Sequence, residues 1–246
     1  MQPVAGRLQI VSPAAPTISV VIIAYCEAEA IERAVRAAFA VGDEVVVVDG
    51  TSPDATADRA RRAGARVLQV PRGRGRQCHA GALAARGRTL VFLHADAELA
   101  PGARRAIERV LSDPELDAGN FRLRFEPASF WARLFGWAND VRRRRLGIYY
   151  GDSALFIRRA VYFELGGFRD DLPLMEDYEF VRRLEAAGDT AYVRDVVVSA
   201  SARRFASRPV QTLALWVAVQ VFYTLGVSPE RLARWYASSS SRAGER

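Results

Sequence analysis

The chain has 246 residues, 50% of them hydrophobic and 26% charged, which is enough apolar material for one large globular domain. The formal net charge of +7 and the pI near 10.0 favour anionic partners such as nucleotide phosphates or an anionic membrane surface, although arginines spread over solvated faces would give the same excess. The two cysteines, Cys26 and Cys78, are too few for a disulfide scaffold and lack metal-site spacing, so they favour a reducing, cytoplasmic setting.

The first hundred residues alternate between two kinds of hydrophobic pattern. Residues 1–16 show no periodicity and no signal-peptide pattern, and we expect them to be a flexible tail. Apolar runs then predict buried strands at 17–24, 44–48, 66–70 and 90–93, with helical patterns between them within 27–40, 51–64 and 73–87. Such alternation predicts an α/β fold with a mostly parallel central sheet flanked by helices.

The second half of the chain is less regular. Strands are predicted at 118–126, 151–158 and 190–198, and helices at 130–145, after residue 158 up to Leu165, at 176–187, and over most of 206–236. The serine-rich residues 237–246 are predicted to be disordered. The apolar stretch from Val210 to Val227 is interrupted by glutamine and threonine, which makes it a poor membrane-spanning segment.

Acidic residues follow three of the predicted parallel strands. Glu27 comes after the first strand, Asp49 after the second, and Asp96 after the fourth, two residues beyond His94. Because the carboxyl ends of parallel strands share one edge of a sheet, we expect these side chains to line a common crevice. There Asp96 can hold a divalent cation that clamps nucleotide phosphates, and the alternative is that it only caps the next helix.

Glycine-rich nucleotide motifs are missing from the same loops. The turn after the first strand reads Ala24-Tyr25-Cys26-Glu27, without the Gly-x-Gly-x-x-Gly of dinucleotide-binding proteins, and the sequence contains no Walker loop. Redox chemistry with a nicotinamide cofactor is therefore disfavoured.

A series of short motifs resembles family 2 glycosyltransferases with the GT-A fold. The motifs are the first strand with Glu27, Val48-Asp49-Gly50-Thr51-Ser52-Pro53-Asp54, Gly73-Arg74-Gly75-Arg76-Gln77 with Ala80-Gly81, His94-Ala95-Asp96, Gly151-Asp152, Gly166-Gly167-Phe168 and Met175-Glu176-Asp177. The resemblance covers residues 17–205, and the sequence from Gly226 to Leu232 is similar to that of a small soluble bacterial branch. It implies a nucleotide-sugar half at 17–117, an acceptor half at 118–205, and C-terminal helices at 206–236.

This resemblance also implies an activity and a set of partners. The enzyme would transfer a sugar, with inversion, from a nucleotide-diphosphate sugar to an acceptor hydroxyl, assisted by Mn²⁺ or Mg²⁺. Glu27 and Asp49 would contact the nucleobase and ribose, and Asp96 would hold the metal that bridges the diphosphate. His94 stands where the family's Asp-x-Asp motif has its first acid. No nucleic acid is expected as a partner.

The dipeptide Glu176-Asp177 begins a predicted helix. Capping of the helix dipole is one interpretation, and catalysis is the other. The resemblance favours Asp177 as the general base. Basic residues are candidates for binding the diphosphate, with solvated loop charges as the alternative; they are Arg74, Arg76, Arg203 and Arg204.

Three further alternatives stay open. The aromatic and arginine-rich helix at 130–145, together with Val210–Val227, fits either core packing or peripheral contact with an anionic membrane. A nucleotidyltransferase would share the sheet, but the Gly-rich basic loop that it needs after the first strand is missing. A non-catalytic protein that binds nucleotide sugars or membrane surfaces would keep the fold without turnover.

Overall fold

The computed structural model describes residues 17–241, and for Arg204 and residues 238–241 it describes the backbone alone. The expected tail at 1–16 lies outside the described residues, as do the last five residues of the chain. The strands are β1 Ile18–Ala24, β2 Glu44–Asp49, β3 Arg66–Gln69, β4 Thr89–His94, β5 Ala97–Leu99, β6 Ala118–Glu126, β7 Phe156–Arg158 and β8 Thr190–Ser201. The helices are α1 Ile31–Phe39, α2 Thr56–Arg62, α3 Arg74–Ala84, α4 Ala103–Leu111, α5 Phe130–Leu146, α6 Arg159–Glu164, α7 Glu176–Ala187, α8 Arg203–Ala206, α9 Pro209–Thr224 and α10 Pro229–Ser241.

Eight strands form one sheet in the order β3-β2-β1-β4-β7-β6-β8-β5. The pairs among β1, β2, β3 and β4 are parallel, as is the pair β6–β8. The strands β7 and β5 run antiparallel to their neighbours. This arrangement confirms the predicted α/β class with a mostly parallel sheet.

The sheet is covered on both faces. Along β1, Val20 and Ile22 join a core that includes Val35 of α1, whereas Val21 and Ile23 join a second core that includes residues of α3 and α7. A strand buried on both faces has no polar alternation, which explains the continuous apolar runs in β1, β2 and β4. Packing against the two cores therefore fixes the carboxyl ends of these three strands at one edge of the sheet.

One predicted strand is much shorter than expected. Residues 151–158 form a single 3₁₀ turn at Gly151–Ser153 followed by the three-residue strand β7. Ala154, between the two, has a φ of 52°, and this left-handed conformation interrupts any continuous strand. The turn places the backbone of Gly151 at the edge where β4 ends.

A short strand and a longer final helix also differ from expectation. The strand β5 follows Asp96 directly and pairs with β8 through Ala97 and Ala200. The helix α10 continues to Ser241, so the prediction of disorder at 237–246 is wrong for residues 237–241. Trp235 of α10 packs edge-on against Phe222 of α9, with ring centroids 6.0 Å apart, and this docking holds the helix just before the serines begin.

The apolar stretch Val210–Val227 lies largely in α9. Its Trp216 packs against Phe135 of α5 and Phe205 of α8, which ties the helix to the main core. Among residues 17–241, none of the helices combines the length and apolarity that crossing a bilayer requires.

Candidate active site

Backbone strain is concentrated at the edge where the parallel strands end. Four non-glycine residues among those described have positive φ: Cys26 after β1, Thr51 after β2, Ala154 before β7, and Met175 before α7. Such conformations cost of order 1–3 kcal/mol each and cluster at functional sites. The loops that carry them surround the predicted crevice.

Glu27, Arg203 and Asp96 form a connected group at this edge. The Arg203 guanidinium donates a hydrogen bond to Oε1 of Glu27, and its Nη2 lies 3.9 Å from Oδ2 of Asp96. The two acidic side chains are only 13% and 11% exposed, whereas Arg203 is 54% exposed. Two of the predicted donor-binding residues and the predicted metal residue are therefore adjacent, although they are far apart in sequence.

The Asp96 carboxylate fits a metal that is shared with a substrate. Within residues 17–241, no cluster of three or more histidine, cysteine or acidic side chains could hold an ion by itself. Magnesium bound with nucleotides takes one or two protein carboxylates and completes its shell with phosphate oxygens and water. The donor set at Asp96 matches that kind of site and does not match an all-protein cage.

Asp49 is at the expected edge, but its carboxylate is turned inward. It is fully buried and accepts hydrogen bonds from the backbone and hydroxyl of Ser52 and from the amide of Gln69 at 3.2 Å. The same Ser52 hydroxyl accepts a bond from the Cys26 backbone N–H at 2.9 Å. Asp49 thus joins the loops after β1 and β2, and in this structure it has no exposed oxygen with which to contact a nucleobase or ribose.

Two residues to which the sequence motifs assigned no role lie beside these loops. The side chain of Tyr25 is 36% exposed, and the guanidinium of Arg72 lies over its ring, 4.2 Å from the ring centroid. The buried amide of Gln77 donates to the carbonyls of Ala24 and Val48, both at 2.9 Å, and so ties the ends of β1 and β2 to α3. Only the position of Tyr25 directly after a strand could have suggested it from sequence.

The carboxylate of Asp177 is held between two elements. Its Oδ2 accepts a hydrogen bond from the backbone N–H of Gly151 at 2.9 Å, and its Oδ1 accepts one from the N–H of Tyr178 at 2.7 Å. A carboxylate has about four lone-pair sites, so it can still accept a proton from a substrate. A Cβ on Gly151 would lie 3.4 Å from both Asp177 Oδ2 and His94 Nε2, so both groups lie close to that glycine.

Glu176 differs sharply from its neighbour. It is 4% exposed, and its Oε1 lies 3.9 Å from Nη1 of Arg74. Burial, reinforced by the charge of Asp177, raises the pKa of Glu176 to about 7, against the opposing effect of Arg74. Glu176 is therefore a buried carboxyl that titrates near neutrality beside the more exposed Asp177.

The Gly73-Arg74-Gly75-Arg76-Gln77 motif lies at the start of α3, which begins at Arg74. Arg74 faces the same cavity as Asp177, whereas Arg76 is exposed and is not among the residues that line that cavity. A Cβ on Gly75 would lie 2.2 Å from the carbonyl oxygen of Arg169. Gly75 thus permits α3 to approach the segment before α7. The predicted role of Arg204 depends on its side chain, which lies outside the part of the chain that the structure describes.

A cavity of about 310 Å³ opens at Asp177. Its polar end contains Arg74, His94, Asp152 and Asp177. The rest is bounded mainly by apolar residues of α5, α9 and α10 and by the segment before α7. Carboxylate, imidazole and guanidinium groups in one concave site can bind anions and move a proton.

Comparison with known proteins identifies the family. The sequence profile described as Glycosyl transferase family 2 matches residues 19–164, which is more than half of the chain. The chain belongs to glycosyl transferase family 2. The matched segment contains Glu27, Arg74, His94 and Asp96, and it ends before α7 and α9.

A curated relative from Mycobacterium tuberculosis (strain CDC 1551 / Oshkosh), Uncharacterized protein MT1568, is 30% identical over 211 residues. The alignment covers 74% of this chain and 66% of the relative, so the chain spans just under two thirds of that protein.

Solved glycosyltransferases share the architecture. The mannosyltransferase PcManGT from Pyrobaculum calidifontis, in complex with GDP-Man and Mn²⁺, aligns with a TM-score of 0.62 at 20% identity, over 92% of this chain and 70% of its own. TarS 1–349 from S. aureus, in complex with UDP-GlcNAc, aligns with a TM-score of 0.61 at 17% identity, over 75% of this chain and 58% of its own. These matches confirm the GT-A fold that the sequence motifs predicted.

Proposed function

We propose that this family 2 protein transfers a sugar from a nucleotide-diphosphate sugar to an acceptor hydroxyl, with inversion at the anomeric carbon. The observation that carries the proposal is the position of Asp177, whose carboxylate lines the same cavity as His94, with both groups close to Gly151. Asp96 lies two residues beyond His94, on the connection from β4 to β5, and its partner Arg203 begins α8.

The donor would bind where the strands end. Arg203 is exposed beside Asp96, and Arg74 lies near Glu176, so both guanidinium groups are available to a diphosphate. Glu27 and the exposed ring of Tyr25 are the nearest groups for the ribose and base. The structures of PcManGT with GDP-Man and Mn²⁺ and of TarS with UDP-GlcNAc support a nucleotide-sugar donor.

Asp96 would hold Mn²⁺ or Mg²⁺ together with the diphosphate, and the bound cation would supply charge that stabilises the departing phosphate. His94 is the last residue of β4 and would face the donor from the cavity side. Because His94 replaces an acid, the cation would rest on one protein carboxylate.

The transfer needs one base and one leaving group. The acceptor oxygen would form a bond to the anomeric carbon from the side opposite the diphosphate, and its proton would pass to the Asp177 carboxylate. The bond from the anomeric carbon to the phosphate oxygen would break, and its electron pair would leave with the nucleoside diphosphate. Glu176, buried behind Asp177, would hold Arg74 in place rather than touch the acceptor.

The cysteines and the apolar helices favour a particular cellular location for the protein. Both cysteines are free, Cys26 exposed and Cys78 buried, which fits a reducing cytoplasm. Exposed apolar side chains on α9 and α10 support peripheral contact with a membrane surface, and the nearby arginines of α5 would favour anionic lipids.

Calorimetry with UDP- and GDP-sugars, with and without Mn²⁺, tests this function. We expect the wild type to bind one donor in a Mn²⁺-dependent manner, Asp96→Asn to lose that dependence, and Asp177→Asn to bind normally but to transfer at least a hundredfold more slowly. Glu98→Gln, two residues beyond Asp96 and paired with Arg33, is the matched control. Equal turnover by the wild type and Asp177→Asn would reject the base, and binding without turnover by the wild type would indicate a non-catalytic donor-binding protein.

A further inference from the structure

The cavity at Asp177 changes character along its length. Its first part contains charged and imidazole groups, whereas the remainder is walled by Phe135, Leu213, Trp216, Val217, Val219 and Val221. Phe135 and Val219 are buried at 3% and 5% exposure, so this wall is a continuation of the protein core. The catalytic end of the cavity is therefore joined to a space that is suited to hydrocarbon.

Most of the polar groups in the wall already interact with one another. Tyr150 donates a hydrogen bond to Gln220, and Arg142 donates one to Asn139. The Arg142 guanidinium also lies 4.3 Å from the ring centroid of Tyr150. Polar groups that bind each other offer little to a hydroxyl-rich ligand, and burying unpaired hydroxyls against the apolar wall would be unfavourable.

Resting on the proposed function, we infer that the acceptor is an amphiphile, with its hydroxyl at Asp177 and its hydrocarbon body along α9. Val217 and Val221 line the cavity and are also 54% and 48% exposed, so the wall reaches the surface of the protein. Phe222 and Leu225 continue the exposed apolar surface along the same helix. A hydrocarbon chain longer than the cavity can leave along this surface, into solvent or into a bilayer.

Most of the apolar wall lies outside the family match, since Phe135 is the one residue among the six named above that falls within it. That match ends at residue 164, and α9 begins at Pro209. The helix α9, which would contact most of the acceptor body, is thus supplied separately from the strand ends that would bind the donor. This separation is consistent with an acceptor preference that is particular to this chain.

Binding of straight-chain alcohols tests the inference without a donor. The full chain is loaded with the neutral dye N-phenyl-1-naphthylamine, and alcohols from hexanol to decanol, with α,ω-diols of equal length, are used to displace it. We expect affinity to rise about fourfold for each added methylene, because each removes a similar apolar area from water. Each diol should bind at least tenfold more weakly than the matching alcohol.

Two valines on α9 give a matched pair of variants. Val217→Trp fills the apolar part of the cavity and should weaken decanol binding at least tenfold. Val210→Trp, on the same helix at 60% exposure and away from the cavity, should change it less than twofold. Both positions are exposed, so neither substitution disturbs the core, and circular dichroism verifies the fold.

Transfer assays with the donor found by calorimetry complete the test. We expect kcat/KM to be at least a hundredfold higher for decanol than for propanol, with donor affinity unchanged in Val217→Trp. Decanol in phosphatidylcholine vesicles, compared with dispersed decanol, distinguishes membrane delivery from free uptake. Transfer to glucose or propanol as efficient as to decanol would overturn the inference and leave the proposed function intact. If no donor binds, the proposed function fails, and the alcohol series alone decides whether the cavity is an apolar ligand site.

Discussion

Glu176 is a buried acid whose ionisation opposes folding. Its pKa is raised to about 7 in the folded chain, from an ordinary value of 4.5, chiefly by burial. Between these two values the folded state holds a proton that the unfolded state has released, so this residue lowers stability as the pH rises from about 4.5 to about 7. Arg74 at 3.9 Å offsets only part of the cost.

Glu176→Gln should therefore stabilise the protein above neutrality. The neutral amide mimics the protonated acid, and we expect a gain on the order of 2–3 kcal/mol at pH 8 and almost none at pH 4.5. Thermal melts followed by circular dichroism across this range measure the gain as a rise of several degrees in Tm. Glu179→Gln, which breaks an ion pair with Arg183 on the same helix, is the control and should give no gain. A Glu176→Gln variant that melts lower than wild type at pH 8 would contradict the assignment.

Gly151 leaves open the space next to Asp177 and His94 at the polar end of the cavity. A Cβ there would make ordinary contacts of 3.4 Å with Asp177 Oδ2 and His94 Nε2, so Gly151→Ala should change the free energy of unfolding by less than about 1 kcal/mol. On the proposed mechanism, the added methyl would nevertheless occupy the space from which the acceptor oxygen approaches Asp177. We expect kcat/KM for transfer to fall at least tenfold while the donor Kd stays within twofold.

Gly188→Ala provides the comparison for this variant. No atom lies within 4 Å of a Cβ at Gly188, which follows α7 with an extended φ of 176°, so activity should be retained. If Gly151→Ala were as active as Gly188→Ala, the polar end of the cavity would not be the place of reaction.

At the scale of elements, the contact between α3 and the segment before α7 positions both Arg74 and Glu176. Gly75→Ala would put a Cβ 2.2 Å from the Arg169 carbonyl and 3.2 Å from Glu176 Cβ, so the two elements must separate. We expect a loss of about 1–3 kcal/mol in the free energy of unfolding, measured by urea denaturation. Gly136→Ala, in the interior of α5 with its nearest neighbour at 3.4 Å, should be neutral or stabilising because alanine has the higher helix propensity.

The elements that the sequence predicted best are those with strong internal patterns. The strand β6 and the helix α7 begin and end at the predicted residues, 118–126 and 176–187, because alternation and helical spacing are continuous over them. The strand β5 has three residues and exists only through its pairing with β8, which no local pattern reveals. The hydropathy of residues 151–158 predicts one strand, because hydropathy carries no information about the left-handed conformation of Ala154.

At the scale of the whole molecule, the sequence located the edge of the sheet but not the directions of the side chains. Glu27 and Asp96 meet through Arg203 as the parallel topology requires. The inward turn of Asp49 depends on Ser52 and Gln69, and the use of Gly75 depends on the position of Arg169. The cavity could not be predicted either, since it forms only when α9 docks against α5 through Trp216 and Phe135.

The docking of α9 has a consequence for how such a protein can diversify. Except for Arg203, the residues proposed to bind the donor and remove the proton lie at or before position 177. Much of the apolar wall, in contrast, comes after residue 209. Substitutions in the late segment can therefore remodel what is glycosylated while the reaction chemistry stays untouched. Grafting residues 209–241 between related chains is a direct route to exchanging their preferences.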